Sequence, residues 1–98
     1  MTIKQNNSDE QRVKIFKALA EVKRIEMVRY LFRNQNKHTC GEIESALGTN
    51  KSNRSYHLKI LLEADLILVE RQGQLKFITV KEEMFQEFLP DFWQLYRC

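Results

Sequence analysis

Residues 50–80, NKSNRSYHLKILLEADLILVERQGQLKFITV, decide the fold of this 98-residue chain. Asn50 is a residue type that often caps the first turn of a helix, and Asp65 tolerates the left-handed conformation in which helices commonly end. Three leucines at helical spacing mark the inner face of the helix between them: Leu58, Leu61 and Leu62. The runs LILVERQ and QLKFITV are apolar, β-branched and aromatic, and they flank a glycine, which predicts a β-hairpin. This order, with basic and polar groups at the helix start and on the hairpin, predicts a winged helix-turn-helix.

Three further helices are predicted before this stretch. Ser8 and Gln11 resemble a capping box, so the first helix is expected from Ser8 to about Ala20. The segment EVKRIEMVRYLFRNQNK predicts a second helix that ends in its polar, asparagine-rich tail, and Gly41 to Leu47 predicts a short third helix. The residues expected to face inward on the second and third helices are Ile25, Val28, Leu31, Phe32, Ile43, Ala46 and Leu47. The expected fold is mainly α, with about five helices and a two-stranded wing.

A last helix is predicted from about Glu82 to Tyr96, and Pro90 must kink or restart it because proline lacks an amide donor. Half of the aromatic residues of the chain lie in this segment. Part of this apolar stripe could pack within the subunit, and the remainder would leave an exposed patch of the kind that marks an interface. The stripe consists of Phe85, Phe88, Leu89, Phe92, Trp93 and Tyr96. Two such patches are self-complementary about a two-fold axis, which predicts a homodimer.

Length and composition favour a single globular domain, over residues 8–98, preceded by a flexible N-terminal arm over residues 1–7. Hydrophobic residues are 43% and charged residues 30% of the chain, an ordinary soluble balance. No apolar run approaches the roughly 18 residues needed to span a bilayer, and MTIKQNNSDEQR has no apolar core of a signal peptide. Two cysteines make no disulfide framework, so we expect a cytoplasmic protein. The net charge of +3 is compatible with a nucleic-acid partner.

The outer face of the helix after Asn50 is the expected DNA-binding surface. With about 100° per residue and the leucines inward, polar side chains project outward near its start, while His57 lies on the flank. Asparagine can pair with adenine edges, serine with a base or a phosphate, and lysine with guanine or phosphate. The predicted contacts to double-stranded DNA are Lys51, Ser52, Asn53, Arg54, Ser55, Tyr56, His57 and Lys59 on the helix, and Arg71, Gln74 and Lys76 on the wing. For any one of these residues, the alternative is that it is simply exposed to solvent and contacts no DNA.

These motifs resemble the ArsR/SmtB family of bacterial transcriptional repressors, from about Val13 to Val80. FKALAEVKRIEMVRYL is similar to the opening helices of that family, with EVKR at 21–24 where D-P-x-R is common. Ser55, His57, Leu58 and Leu61 fall on its pattern S-x-H-L-x-x-L, and RQGQLKFITV resembles its wing. The resemblance implies a dimeric winged helix that binds an imperfect palindrome, with its first and last helices paired across the two-fold axis. It adds two residues of the first helix to the expected interface, Val13 and Phe16.

The chain departs from the family pattern at three places. Arg54 stands at a position that is normally apolar and inward, so either its guanidinium reaches the DNA side or the helix is slightly rotated. Gln74 replaces a usual wing arginine. Many members bind metal through Cys-x-Cys near the third helix, but HTCGEI places Thr39 and Gly41 at those positions, and the last helix has no histidine. We therefore expect no metal and no cofactor, because His38 and Cys40 fall short of the usual set of about four ligands.

Two other functions are compatible with these residues. Cys40 and Cys98 could respond to redox state, although a small core-edge residue and a terminal residue explain them as well. The aromatic last helix could make the domain a protein–protein interaction module instead of a DNA-binding regulator. An enzyme is not expected, because the sequence has no glycine-rich phosphate loop and no nucleophile–base–acid set. The sequence identifies no effector.

Overall fold

The computed structural model describes residues 3–34 and 37–92. Its elements are α1 (Ile3–Ala18), α2 (Val22–Arg33), β1 (His38–Thr39), α3 (Cys40–Leu47), α4 (Lys51–Glu63), β2 (Ile67–Gln72), β3 (Leu75–Val80) and α5 (Glu82–Phe88). The three strands form one antiparallel sheet in the order β1-β3-β2. The predicted fold class, a mainly helical winged helix-turn-helix, is confirmed.

The first helix is longer at its start than the sequence predicted. It begins at Ile3 rather than at Ser8, so residues 3–7 are helical where a flexible arm was expected. The first forty residues contain no glycine or proline, and a capping box therefore marks only one of several possible starts. The helix ends at Ala18, two residues before the predicted end, because the chain turns there toward α2.

Capping residues determine where α3 and α4, the two helices of the helix-turn-helix, begin and end. Thr39 and Glu42 form a reciprocal capping box at the start of α3, and Gly48 closes that helix with a φ of 65°. The predicted cap of α4 is confirmed, since Asn50 Oδ1 accepts a hydrogen bond of 2.8 Å from the amide of Asn53. Asp65 has the predicted left-handed conformation, with a φ of 64°.

The sheet consists of the predicted hairpin and one strand that the sequence analysis missed. β2 and β3 pair from Ile67 opposite Val80 to Gln72 opposite Leu75, and Gly73 in the turn has a φ of 64°. β1 pairs with the other edge of β3, His38 opposite Ile78. A two-residue strand has too few positions to show an alternating pattern, so β1 arises from tertiary pairing rather than from a local signal.

The core lies between the helices and one face of the sheet. Its buried apolar residues are Ile15, Ala18, Leu19, Met27, Val28, Leu31, Ile43, Leu58, Leu61, Ala64, Leu66, Ile67, Ile78 and Phe85. Two predicted core residues were wrong, because Ala46 is exposed and Leu62 is 46% exposed. Arg54 and His57 share the buried face of α4 with Leu58 and Leu61, so that face is turned away from Leu62.

The last described helix is shorter than predicted. It ends at Phe88, and Leu89 is its C-cap. Pro90 follows at once, and a proline disfavours the helical conformation of the residue before it, so among the described residues Pro90 stops the helix. The part of the predicted helix after Phe92, including Trp93 and Tyr96, lies outside the described residues, as does Cys98.

Candidate nucleic-acid interface

The outer face of α4 presents a compact set of polar side chains to solvent. Six of the eight predicted contact residues on this helix are exposed: Lys51, Ser52, Asn53, Ser55, Tyr56 and Lys59. Tyr56 is 62% exposed, although its ring could have packed against the wing. Ser52, Tyr56 and Lys59 lie opposite Leu58 and Leu61, whose burial fixes the orientation of the helix. Asn53 and Ser55 lie at the edges of this outer face, and Lys51 is the first residue of the helix. The helix can therefore offer an amide, hydroxyls, a phenol and two ammonium groups to one partner.

Arg54 lies inside the molecule, where it cannot reach a base edge. Its side chain is 10% exposed, and Nη1 donates a hydrogen bond of 2.5 Å to Glu44 Oε2 of α3. Of the two predicted alternatives, the first is wrong, because the guanidinium remains inward, where a carboxylate of α3 neutralises it. The second agrees with the structure, since the buried face of α4 is shifted from Leu62 toward Arg54 and His57. The pair joins α3 to α4, the two helices of the helix-turn-helix.

His57 is also buried rather than on the flank, with 9% exposure. Its Nδ1 lies 3.0 Å from Nη1 of Arg24, and Arg24 Nε donates a hydrogen bond of 2.6 Å to the carbonyl oxygen of Ala18. Its Nε2 lies 3.7 Å from Oε2 of Glu21. The burial of Arg24 was not predicted, although its spacing from Met27, Val28 and Leu31 places it on the inner face of α2. That spacing was the available signal.

The wing adds a second cluster of basic and polar groups. Arg71, Gln74 and Lys76 are all exposed. Arg71 and Lys76 are directly opposite in the β2–β3 register, so their side chains share one face of the hairpin. Like charges placed side by side repel one another, and an anionic partner such as a phosphate backbone relieves that repulsion.

The surfaces of α1 and α5 adjoin one another. Val13 is 49% and Phe16 is 55% exposed on α1, and the guanidinium carbon of Arg12 lies 5.5 Å from the ring centroid of Phe88 on α5. Of the residues predicted to form an interface, Phe88, Leu89 and Phe92 are half-buried against the core. Phe85 is 1% exposed, so it belongs to the core of the subunit and cannot form part of an interface.

The segment around His38 and Cys40, where metal ligands were considered in the sequence, is held by hydrogen bonds within the fold. His38 Nε2 lies 2.9 Å from the carbonyl oxygen of Asn34, and its Nδ1 lies 3.4 Å from the hydroxyl of Tyr30. Cys40 is half-buried at the start of α3 and makes no disulfide. Within residues 3–34 and 37–92, no group of three or more His, Cys, Asp or Glu side chains could hold a metal ion. No helix in the same ranges is long and apolar enough to cross a membrane.

Comparisons with known proteins agree with this geometry. A family model described as a helix-turn-helix domain matches residues 8–70. The chain is 36% identical over 92 residues to an uncharacterized HTH-type transcriptional regulator, YceK, of Bacillus subtilis (strain 168), covering 94% of this chain and 91% of that protein. It is 37% identical over 76 residues to the arsenical resistance operon repressor of the same organism, covering 78% and 71% of the two chains.

A similar solved structure is the homodimeric winged helix-turn-helix DNA-binding domain Mb0332 of Mycobacterium bovis, described as a possible ArsR-family regulator. Its TM-score is 0.77 at 22% identity, with 90% of this chain and 81% of that chain covered.

Proposed function

The chain belongs to the ArsR family of winged helix-turn-helix transcriptional regulators, and from this premise we propose that it is a homodimeric repressor that binds a palindromic operator. Its action as a DNA-binding transcriptional regulator follows from the family, and the comparisons point to a regulator rather than to an enzyme. The repressor role is supported by the name of one relative, the arsenical resistance operon repressor. Because its partner is DNA, we place its action in the cytoplasm.

One observation carries the proposed mode of binding. The residues of α4 that can read bases are exposed on a single face, while the other face is anchored in the core. We propose that Ser52, Asn53 and Tyr56 contact base edges in the major groove. Lys51, Ser55 and Lys59 on α4, and Arg71, Gln74 and Lys76 on the wing, would contact the phosphate backbone. Arg54 and His57 are left out of this set because they are buried.

The dimer is proposed to form across α1 and α5. Val13 and Phe16 expose apolar surface on α1, and Arg12 of the same helix lies against the ring of Phe88 on α5. A patch of this kind on a soluble protein marks an interface, and a two-fold pair of such patches is self-complementary. The solved relative from Mycobacterium bovis is described as homodimeric, which supports this arrangement. Two α4 helices on one face of a dimer would read half-sites about 34 Å apart.

The first experiment is a fluorescence-anisotropy titration with duplex DNA from upstream of the protein's own gene. A scrambled duplex of equal length and composition is the control, at fixed salt because phosphate contacts make affinity strongly dependent on ionic strength. We expect saturable binding with at least a hundredfold preference for the native duplex, since specific sites exceed nonspecific binding by ~10³ or more. Equal affinity for both duplexes would contradict operator recognition.

Repression itself is tested by transcription in vitro. On a template in which the bound duplex overlaps the promoter, the purified protein should lower the amount of transcript in step with operator occupancy. A rise in transcript would make the protein an activator. A protein–protein interaction module, the alternative reading of the aromatic C-terminal segment, would show no salt-dependent affinity for duplex DNA.

A further inference from the structure

A polar cluster crosses the otherwise apolar interior between α4 and the junction of α1 and α2. His57 and Arg24 are 9% and 8% exposed, and Nη1 of Arg24 lies 3.0 Å from Nδ1 of His57. Nε of Arg24 donates to the carbonyl oxygen of Ala18 at 2.6 Å, which ties the same side chain to the end of α1. Glu21, the N-cap of α2, places Oε2 3.7 Å from Nε2 of His57. We call the side chains of His57, Arg24 and Glu21 the polar latch.

The chemistry of the polar latch permits one protonation state of the imidazole. A guanidinium has five N–H donors, no acceptor and a permanent charge, so Nδ1 of His57 must supply a lone pair to Arg24. The ring is therefore neutral, with its hydrogen on Nε2 and directed toward Glu21. A second proton on Nδ1 would place two N–H groups and two positive charges 3.0 Å apart. Protonation of His57 is thus incompatible with its contact to Arg24.

The other groups around the imidazole ring of His57 do not compensate for loss of the contact to Arg24. Among the described residues, Arg24 and Glu21 are the charged groups within ion-pair distance of His57, both from α2 and its N-cap. Glu21 would attract an imidazolium, but it is farther away than Arg24 and its side chain is 39% exposed, so water screens the attraction. On α4 itself the neighbour is the uncharged ring of Tyr56, with its centroid 5.2 Å away. The carbonyl oxygen of Ala18, at the end of α1, bonds to Arg24 and carries no charge.

We infer that His57 is a positioning residue for DNA binding and that the polar latch makes operator affinity fall on acidification. This inference rests on the proposed function. Ser52, Tyr56 and Lys59 project from the face of α4 opposite the polar latch, so a rotation or tilt of the helix at His57 moves them against the groove. Because a protonated His57 cannot keep its contact to Arg24, operator binding should be weaker at acidic pH than at pH 7.5.

The test compares operator affinity at pH 7.5 and pH 5.5, at constant ionic strength, for the wild type and three variants. The wild type should lose about tenfold in affinity, the size expected for one hydrogen bond to a charged group. In His57→Asn, the amide oxygen can accept from Arg24 in place of Nδ1 but cannot titrate, so its affinity should be the same at both pH values. In His57→Leu, Arg24 has no acceptor there, and binding should be weak at both.

The matched control is His38→Asn, which removes the other histidine of the chain, in β1. It should keep the pH dependence of the wild type. Circular dichroism and thermal unfolding identify a variant that does not fold; His57→Asn keeps the test decisive if His57→Leu is lost in that way. Persistent pH dependence in His57→Asn, or none in the wild type, would overturn the inference alone. Absence of any preference for the native duplex at pH 7.5 would overturn the proposed function and the inference with it.

Discussion

The exposed residues of α4 and of the wing differ in the part of DNA that they can reach. Asn53→Ala or Tyr56→Ala should cost about 1–3 kcal/mol of binding free energy for the operator and little for scrambled DNA, because base contacts discriminate between sequences. Lys76→Ala should weaken both duplexes by a similar factor and reduce the slope of log affinity against log salt by about one. Anisotropy titrations at three salt concentrations measure both effects. Equal loss of discrimination in all three variants would contradict this division.

The Arg54–Glu44 pair is a charged contact inside the fold, so its loss should reduce stability. Glu44→Ala leaves a guanidinium almost buried without its carboxylate, and the free energy of unfolding should fall by about 2 kcal/mol. This is less than the ~3–5 kcal/mol of a fully buried pair, because the Glu44 side chain is 25% exposed. Urea unfolding measures the change.

Two further variants distinguish the cost of an unpaired Arg54 from the effect of removing any carboxylate. Replacing both partners with methionine should bring stability back to within about 1 kcal/mol of the wild type, since no unpaired charge remains inside. Glu63→Ala, which removes an exposed carboxylate from the neighbouring helix, is the control and should change stability by less than ~0.5 kcal/mol. A Glu44→Ala variant as stable as this control would show that water already solvates Arg54.

At the scale of elements, the start of α3 has a built-in dependence on pH. The backbone amide and the hydroxyl of Thr39 donate to Glu42 Oε1 at 2.8 and 3.0 Å, and these bonds hold the pKa of Glu42 below its usual value of 4.5. Because the folded-state pKa is lowered, the stabilisation is complete above pH 4.5 and disappears as pH falls through the lowered pKa. Glu42→Gln should therefore be less stable than the wild type at pH 7, and the difference should shrink at pH 3.

The comparison uses urea unfolding at both pH values, with Glu63→Gln as the control for a carboxylate that makes no capping contact. A difference that is the same at pH 7 and at pH 3 would mean that the ionised carboxylate contributes nothing at this helix start.

The junction between α4 and β2 depends on the backbone conformation of Asp65. Its φ of 64° is unfavourable for most side chains, and its carboxylate accepts hydrogen bonds of 2.9 and 3.1 Å from Nζ of Lys81. Those bonds raise the pKa of Lys81, so their contribution is present below pH 10.5 and is lost as pH rises through the raised pKa. At pH 7, Asp65→Ala should lose about 1 kcal/mol or more from backbone strain.

Asp65→Asn tolerates the left-handed conformation and loses only the charge, so its midpoint of thermal unfolding should lie between those of the wild type and Asp65→Ala. If the asparagine and alanine variants unfold at the same temperature, the backbone conformation is not the cause and the contact to Lys81 accounts for the whole loss.

For the whole molecule, the proposed dimer makes a prediction with a closely matched control. Phe16→Glu should convert the protein to a monomer in sedimentation velocity at micromolar concentration, because it places two charges in the apolar patch about the two-fold axis. Leu75→Glu changes a side chain of equal exposure, 54% against 55% for Phe16, but at the tip of the wing, and it should leave the dimer intact. A wild-type protein that sediments as a monomer would contradict the proposal.

More of the fold than of the candidate DNA-binding surface could be predicted from the sequence. The helix after Asn50 and the hairpin around Gly73 were predictable because their signals are local: a cap, a helical repeat of leucines and a turn glycine. The burial of Arg54 and His57 was not, because their partners are distant in sequence, Glu44 by ten residues and Arg24 by thirty-three. In a sequence, a charged side chain indicates a solvent-exposed helix face unless a residue that can pair with it inside the fold is known. That residue is identified only by the tertiary structure.

The central position of β3 determines where this chain can change in length. β3 is hydrogen-bonded on one side to β2 and on the other to β1, which leads directly into the cap of α3. Deletion of one residue inside β3 would invert its alternation and turn Ile78 out of the core. Residues inserted after Gly73, at the tip, would lengthen the hairpin and leave this pairing untouched. The reach of the wing can therefore be adjusted at its tip without rebuilding the helices that it supports.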